Sequence, residues 1–187
     1  ISVDTDEDTA VDITLTADEF DGENYSFSII ANPSNGTVSL SGTTATYTPN
    51  QDWNGTDTFT FEATDDRTAK TNVGTATITV NAVNDVPVSS DVSASTDEDT
   101  AKAITLSATD VDGDNLTYSI VSNPSNGSLG SVSGTSVTYT PDADWYGTDT
   151  FTYKANDGTV DSNTATVTVT VTSIPEHTIY PDLTSGY

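Results

Sequence analysis

The acidic residues of this chain are gathered in short clusters between strand-like segments. The 187 residues include 29 Asp and Glu against 4 Lys and Arg, which gives a formal net charge of −25. Hard cations such as Ca²⁺ take about six to eight oxygen ligands from carboxylates, amides and backbone carbonyls. The clusters therefore predict cation binding, with solvated loops that only aid solubility as the alternative. They lie at residues 6–8, 18–24, 97–99, 110–115 and 142–144, together with Asp52, Asp65 and Asp157.

The densest cluster, residues 110–115, does not have the pattern of an EF-hand loop. An EF-hand requires Gly at the sixth position and Glu at the twelfth. Counted from Asp110, those positions hold Asn115 and Val121. Strand-like segments on both sides also conflict with a helix–loop–helix, so an EF-hand is excluded.

The charge balance and the missing residue types exclude several classes of function. Nucleic acid is excluded as a partner because phosphates are bound by Lys and Arg, and the same charge disfavours anionic membrane surfaces. No apolar run of membrane length is present, so direct membrane insertion is not expected. The absence of Cys excludes disulfide scaffolds and thiolate chemistry. Together with its Thr, Ser, Asn and Gly content, this composition predicts an extracellular or bacterial cell-surface protein.

Three segments of the chain recur almost letter for letter in its second half. The offset is 91 residues for the first two (96 − 5 and 123 − 32) and 92 for the third (147 − 55). A period of this length exceeds the roughly 20–50 residues of solenoid repeats and matches a small domain with its own core. The chain is therefore predicted to be two copies of one domain. The paired segments are residues 5–10 and 96–101, 32–36 and 123–127, and 55–60 and 147–152.

The repeat sets the predicted domain boundaries. Repeat 1 covers residues 1–83 and is truncated at its N terminus relative to repeat 2, because it contains nothing that matches residues 84–91. A linker at residues 84–88 precedes repeat 2 at residues 89–174. Residues 175–187 have no counterpart and form a predicted non-repeat tail.

The remaining residues alternate in polarity as half-buried β-strands do. Residues 150–155 and 164–171 place Thr on one side and mostly apolar side chains on the other, a period of two that is typical of antiparallel strands. Asn-Gly and Asp-Gly pairs between such segments favour tight turns. About seven short strands per copy predict an all-β protein of two tandem Greek-key β-sandwiches. Trp53 and Trp145 are predicted to pack in the two cores, with an exposed sugar-binding platform as the alternative.

The order of the motifs resembles the cadherin fold. Both copies carry Thr-Asp-Glu-Asp-Thr, and Val-Asn-Asp-Val-Pro lies between them at residues 83–87. Copy two adds Ala-Thr-Asp-Val-Asp-Gly-Asp-Asn-Leu-Thr-Tyr-Ser-Ile at residues 108–120 and Ala-Asn-Asp-Gly at residues 155–158. More closely, residues 1–172 resemble the bacterial cadherin-like tandem repeats of large surface and secreted proteins. The resemblance implies a seven-stranded, cadherin- or immunoglobulin-like sandwich in each copy.

The same resemblance implies Ca²⁺ between successive domains. Its ligands would come from the rim of repeat 1, the linker and the rim of repeat 2, and Asp114 has no ligand role in the pattern. The junction ligands would be Glu7, Asp52, Asn84, Asp85, Asp110, Asp112 and Asp157. Second-choice sites would face neighbouring domains, with Glu19, Asp21 and Asp65 at the start and Glu98 and Asp144 at the end.

Two positions depart from the family pattern. Ala82 stands where a linker Asp is expected, and Asn50-Gln51-Asp52 replaces two acidic residues spaced by one. Both changes remove ligands. One or two ions are therefore expected at the junction, bound more weakly than by the full pattern.

The leading functional interpretation is structural: calcium-stiffened extender modules of a bacterial surface or secreted, adhesin-like protein, whose partners are neighbouring repeat domains. A calcium-dependent carbohydrate-binding module of a polysaccharide-degrading system is the first alternative, and it requires exposed Trp53, Trp145 or Tyr146. A homophilic or filament-forming subunit is the second, in which the tail joins another subunit as a strand, unless the tail is a ragged terminus. An enzyme is not expected, because the acidic clusters recur in both copies and the single histidine, His177, lies in the tail.

Overall fold

The computed structural model describes residues 1–17, 25–65, 70 and 73–175. Every regular element within these ranges is a β-strand. The described residues therefore include no helix that could cross a membrane. The chain divides into two compact units, Ile1–Val83 and Asn84–Tyr187.

Unit 1 has seven strands in its described part. They are β1 (Ser2–Asp6), β2 (Val11–Thr14), β3 (Tyr25–Ala31), β4 (Gly36–Ser41), β5 (Thr44–Pro49), β6 (Gly55–Asp65) and β7 (Gly74–Asn81). They form one sheet of order β1-β7-β6-β3 and another of order β2-β5-β4. β1 pairs with β7 in parallel. The chain changes sheet between β1 and β2, β2 and β3, β3 and β4, and β5 and β6, which is the connectivity of a Greek-key sandwich.

The core of unit 1 comes from alternate residues of the strands. Phe59, Phe61 and Ala63 of β6 are buried, and so are Ala45 and Tyr47 of β5. The Thr residues between them are less buried on the outer faces. Burial of these apolar side chains, at about 25 cal/mol per Å² removed from water, is the main force that holds the sheets together.

Unit 2 repeats this arrangement and adds two short strands in its described part. Its strands are β8 (Val88–Ser89), β9 (Val92–Asp97), β10 (Lys102–Thr105), β11 (Ala108–Thr109), β12 (Thr117–Ser122), β13 (Gly127–Leu129), β14 (Ser136–Pro141), β15 (Gly147–Asn156) and β16 (Ala165–Thr172). The two main sheets have the orders β12-β15-β16-β9 and β10-β14-β13. β8 and β11 form a separate antiparallel pair.

Both tryptophans pack against the core of their unit while remaining partly exposed. Each covers a glycine with positive φ, 138° at Gly55 and 144° at Gly147. A Cβ atom added to Gly55 would lie 3.0 Å from the Trp53 indole, and one added to Gly147 would lie 3.1 Å from that of Trp145. The predicted core packing is therefore confirmed, and it explains why glycine follows closely after each tryptophan.

A buried aspartate holds one loop of unit 1. Asp57 accepts hydrogen bonds from the backbone N–H groups of Ser34 (3.0 Å), Asn35 (2.8 Å) and Thr58 (2.9 Å), and from the Tyr47 hydroxyl (3.1 Å). Burial alone raises the pKa of Asp57, but these four donors outweigh burial and leave the pKa below its ordinary value of 3.8. The charged carboxylate thereby fastens the Asn-Pro-Ser-Asn-Gly loop to β5 and β6.

Unit 2 repeats this contact at Asp149. Its donors are the N–H groups of Ser125 (3.0 Å), Asn126 (2.9 Å) and Thr150 (2.9 Å) and the Tyr139 hydroxyl (3.1 Å). Two of the segments that recur in the sequence, the Asn-Pro-Ser-Asn-Gly loop and the Gly-Thr-Asp-Thr-Phe strand, are thus the two sides of one buried contact. Each unit is a β-sandwich of seven main strands, which confirms the predicted all-β fold of two tandem sandwiches.

Candidate metal site

The short β8–β11 pair brings together two acidic segments of unit 2. Val88 lies opposite Thr109, and Ser89 lies opposite Ala108. Antiparallel pairing places the residues before β8 beside the residues after β11. These neighbours are the predicted linker ligands Asn84 and Asp85 and the acidic loop at residues 110–114.

Three carboxylates of the loop after β11 converge. Oxygen atoms of Asp110, Asp112 and Asp114 all lie within 4.8 Å of one another. Asp110 Oδ1 accepts the N–H of Asp114 at 3.1 Å, and Asp112 Oδ2 accepts the N–H of Asp85 at 2.8 Å. Asp110 Oδ2 is buried and accepts no hydrogen bond from the described residues. Gly113, with φ at 76°, allows the loop to turn between these side chains.

This arrangement fits a hard divalent cation. Three like charges within 4.8 Å repel one another, and a buried carboxylate oxygen without a donor is unfavourable. A bound cation would relieve both, because carboxylate oxygens are the ligands that Ca²⁺ and Mg²⁺ prefer. The three side chains offer only oxygen, which favours these ions over metals that select nitrogen or sulfur.

Asn84 and Asp157 form a second part of this rim. The Asn84 amide donates to Asp157 Oδ2 at 2.8 Å and to the carbonyl oxygen of Asp85 at 3.0 Å. Asp157 Oδ1 accepts the N–H groups of Thr159 (2.6 Å) and Val160 (2.7 Å). The bond from Asn84, followed by that from Val160, lowers the pKa of Asp157. Asp157 is therefore charged at neutral pH, as a cation ligand needs to be.

In unit 1 the two predicted junction ligands have different partners. Glu7 is 5% exposed, and its Oε1 accepts the N–H of Val83 at 2.5 Å. Asp52 has a φ of 55°, and its N–H donates to Asp8 Oδ1 at 3.0 Å. The Asp52 carboxylate accepts a hydrogen bond from the Gln51 amide at 3.2 Å. Glu7 and Asp52 share no hydrogen bond among the described residues.

The second-choice residues of unit 2 repeat these contacts. Glu98 is 8% exposed, and its Oε1 accepts the N–H of Ile174 at 2.6 Å. The N–H of Asp144, whose φ is 57°, donates to Asp99 Oδ1 at 3.1 Å. Each Asp-Glu-Asp motif thus orders the end of its own unit in addition to any role in binding a cation.

The other second-choice residues belong to unit 1. Asp65 is the last residue of β6 and lies opposite Tyr25 of β3. Glu19 and Asp21 lie outside the described residues.

Asp114 joins the cluster although the sequence motif assigned it no ligand role. A signal for it was available in the alternation Asp-Val-Asp-Gly-Asp at residues 110–114. Three aspartates within five residues of one loop can reach a common point, so all three aspartates of this run were candidates for one site. Val111, the residue between the first two, is exposed.

The sequence profile of the bacterial Ig domain family matches this chain twice, at residues 1–81 and at residues 84–170. The chain therefore belongs to the bacterial Ig domain family and carries two tandem copies of the domain. No relative of curated function matches the sequence.

Solved structures of cadherin domain pairs share the fold. The EC1-2 structure of human mucin-like protocadherin is 20% identical, with a TM-score of 0.56, over 92% of this chain and 96% of its own. The EC1-2 structure of human protocadherin-24 is 15% identical, with a TM-score of 0.54, over 93% of this chain and 94% of its own. This likeness concerns the fold, and together with the family match it confirms the cadherin-like resemblance predicted from the motifs.

Two structures of endo-fucoidan hydrolases from glycoside hydrolase family 107 also match. They are 20% identical over 94% of this chain, with TM-scores of 0.39 and 0.38. This chain spans 28% of their length.

Proposed function

We propose that the chain is a pair of structural spacer domains from an extracellular or cell-surface bacterial protein, and that the rim of unit 2 binds Ca²⁺. The bacterial Ig domain family and the cadherin-like fold support the structural role. The observation that carries the metal is the buried Oδ2 of Asp110, which has no hydrogen-bond partner among the described residues and lies beside the carboxylates of Asp112 and Asp114. Neighbouring repeat domains are the partners of such a module.

The ligand set of this proposal centres on Asp110, Asp112 and Asp114. Three carboxylates supply three to six oxygens, and water completes the six to eight that Ca²⁺ takes. Asn84 and Asp157 are linked to this set through Asp85, because the Asn84 amide nitrogen donates to Asp157 and to the carbonyl oxygen of Asp85, whose N–H donates to Asp112. Asp85, whose N–H is held by Asp112, is the remaining linker ligand.

We further propose that Ca²⁺ stiffens the junction between the domains in an adhesin-like full-length protein. It follows from the motif resemblance, which assigns Glu7 and Asp52 of unit 1 to the same ions. Glu7 Oε1 already accepts the N–H of Val83, so Oε2 is the atom that Glu7 would offer. Without the ion, repulsion between carboxylates would leave the linker free to bend.

Isothermal titration calorimetry with Ca²⁺ tests the site. We expect a dissociation constant of about 10⁻⁴–10⁻³ M, the range of extracellular calcium modules. Asp110→Asn and Asp112→Asn remove one charged ligand each and should weaken binding about tenfold or more. Asp4→Asn makes the same change of charge at an exposed position of β1 and should leave the affinity unchanged. Equal weakening by all three variants would indicate diffuse charge screening, and an absence of binding heat would refute the metal site.

A second candidate function, glycan binding, is favoured by one observation. Tyr146 is 63% exposed and is the one aromatic residue among the exposed large apolar side chains of the described residues. Exposed aromatic rings of this kind suit stacking against sugars. Pull-down on insoluble polysaccharides, with and without Ca²⁺, tests this candidate, and Tyr146→Ala should abolish any binding that depends on the ring.

The third candidate, assembly through the tail, concerns residues 176–187, which lie outside the described residues. Light scattering of the full chain and of a chain ending at residue 175 tests it. Equal masses for the two chains would remove the tail as an assembly element.

A further inference from the structure

We propose that Tyr153 and Asn163 are positioning residues that fasten the N-terminal segment of unit 2, residues 84–90, and so assemble the candidate metal site before a cation arrives. The proposal rests on the proposed function for its metal readout. Its geometric part rests on hydrogen bonds within unit 2 alone.

Asn163 holds the backbone of Ser89 through both groups of its side-chain amide. Asn163 Oδ1 accepts the N–H of Ser89 at 2.9 Å, and Asn163 Nδ2 donates to the carbonyl oxygen of Ser89 at 3.0 Å. These are the two bonds that a neighbouring strand residue would make. Ser89 is buried, so both backbone groups need partners. β11 lies on one side of Ser89, and Asn163 takes the place of a strand on the other.

Tyr153 fastens the next residue of the segment. Its buried hydroxyl donates to the carbonyl oxygens of Ser90 (2.5 Å) and Ser107 (2.8 Å), which share one hydrogen, and accepts the N–H of Ser107 at 3.1 Å. The N–H of Ser90 donates to the same Ser107 carbonyl at 2.9 Å. The hydroxyl therefore closes the end of the β8–β11 pair. Unit 1 has Phe61 at the equivalent place in its repeated strand, so the sandwich core packs without this hydroxyl.

One loop of unit 2 holds both ends of the segment. Asp157 accepts the Asn84 amide at the start, and Asn163 holds Ser89 near the end. The Ser162 hydroxyl lies 2.7 Å from that of Ser89 and also accepts the N–H of Ala155 in β15 at 2.9 Å. The segment between these attachments carries Asp85, whose N–H is bound by Asp112 of the acidic cluster.

These side-chain bonds matter because the β8–β11 pair is only two residues long, and so short a ladder is not stable by itself. If the segment detaches for part of the time, the apparent affinity for a cation falls in proportion to the attached fraction. Loss of the Tyr153 hydroxyl or the Asn163 amide should therefore weaken Ca²⁺ binding although no ligand is removed.

The test compares two tyrosines in the full chain. Tyr153→Phe removes the hydroxyl that holds Ser90, whereas Tyr139→Phe removes an equally buried hydroxyl that binds Asp149. In Ca²⁺-free protein, we expect Tyr153→Phe to raise the amide hydrogen-exchange rates of Ser89 and Ser90 at least about fivefold without changing those of β15 and β16. Ca²⁺ affinity should fall measurably and by no more than about tenfold, because the loss of one hydrogen bond changes the attachment equilibrium by at most about that factor. Tyr139→Phe should do neither.

Asn163→Ala serves as a second variant. We expect it to raise the amide exchange rate of Ser89 and to lower the Ca²⁺ affinity as Tyr153→Phe does. If the unsubstituted chain binds no Ca²⁺, the proposed function fails, and the amide exchange rates of Ser89 and Ser90 alone decide the positioning role. If the unsubstituted chain binds Ca²⁺ and the amide exchange rates of Ser89 and Ser90 are unchanged in Tyr153→Phe and Asn163→Ala, the positioning role is overturned. Equal effects of Tyr153→Phe and Tyr139→Phe would also overturn it, because they would reflect general destabilisation.

Discussion

Asp57 differs from the aspartates of the candidate metal site, Asp110, Asp112 and Asp114, because it is buried and receives four hydrogen bonds. Asp57→Asn keeps the shape of the side chain but presents an NH₂ group to donors that need an acceptor. A hydrogen bond to a buried charged group contributes about 1.5–3 kcal/mol, and an unsatisfied donor adds to the loss. We expect Asp57→Asn to lower the free energy of unfolding of unit 1 by about 2–4 kcal/mol, measured by urea denaturation.

A single-tryptophan background and a control variant make this measurement specific to the buried carboxylate of unit 1. The units each contain one tryptophan, Trp53 and Trp145, so a Trp145→Phe background makes fluorescence report unit 1 even where the units unfold separately. Asp4→Asn changes the same charge at an exposed position and should alter the stability by less than about 0.5 kcal/mol. A loss from Asp57→Asn as small as that of Asp4→Asn would contradict the structural role of the buried carboxylate.

The hydrogen-bonded pair of Asp57 and Tyr47 predicts how the stability of unit 1 depends on pH. The pKa of Asp57 is below its ordinary 3.8 in the folded protein, so its contribution is present above pH 3.8 and is lost as the pH falls through the folded-state pKa. Burial, followed by the charge of Asp57, raises the pKa of Tyr47 above its ordinary 10.0. The contribution of Tyr47 is therefore present below pH 10 and is lost as the pH rises further.

Urea denaturation of unit 1 across pH 2.5–11 measures both the loss of stability at low pH, the acid limb, and the loss of stability at high pH, the alkaline limb. Tyr47→Phe should flatten the alkaline limb, and Asp57→Asn should flatten the acid limb. An alkaline limb that is unchanged in Tyr47→Phe would assign that loss of stability to other groups.

The aspartates of residues 110–114 and the buried Asp57 and Asp149 were not equally predictable from the sequence. Residues 110–114 stand out because like charges cluster there. Asp57 and Asp149 stand alone within strands, and the loop residues that donate to them, such as Ser34 and Ser125, lie more than 20 residues away in the chain. Long-range contacts of this kind depend on how the strands fold over one another, which local sequence does not encode.

At the scale of elements, the edge between β9 and β10 of unit 2 carries a lysine that unit 1 lacks. Each of these strands is the last of its sheet, and residues 92–95 and 102–105 line a cleft of about 570 Å³ between them. Lys102 lies opposite Tyr139, as Val11 lies opposite Tyr47 in unit 1. Lys70 and Lys154 form ion pairs with Glu62 and Asp161, whereas Lys102 forms none with a described residue. A free charge at an open edge hinders pairing with a strand of another molecule.

Lys102→Val should therefore increase self-association. Lys154→Val is the matched control, since it removes the same charge from an exposed ion pair rather than from the cleft. We expect sedimentation velocity at equal ionic strength to show a larger associated fraction for Lys102→Val than for either the parent protein or Lys154→Val. Equal distributions for all three proteins would show that Lys102 does not protect this edge.

The main strands were predictable because Thr and apolar residues alternate along them, as in β15 and β16. The β8–β11 pair was not predicted. Each strand has only two residues, too few for a periodic pattern, and the pair is held by side chains such as Tyr153 and Asn163. This pair aligns the acidic segments, so the candidate ligands were predictable as a set but their local geometry was not.

At the scale of the whole molecule, the 91-residue offset correctly indicated two copies of one domain, because both copies preserve the contacts of their own core. The family match and the cadherin-like fold agree with this organisation. What the proposed function adds is a dependence of the molecule's stiffness on Ca²⁺. That dependence concerns the two domains together, and it is therefore tested on the full chain.

Small-angle X-ray scattering of the full chain in Ca²⁺ and in chelator tests this claim most directly. In Ca²⁺ at about 5–10 mM, which exceeds the dissociation constants of extracellular calcium modules, we expect an extended and narrow distribution of shapes. In chelator we expect a broader distribution, while circular dichroism remains that of a β-protein. At the same Ca²⁺ concentration, Asp112→Asn should give a broader distribution than the unsubstituted chain, and Asp4→Asn should behave as the unsubstituted chain. Coincident scattering profiles of the parent protein in Ca²⁺ and in chelator would contradict the account.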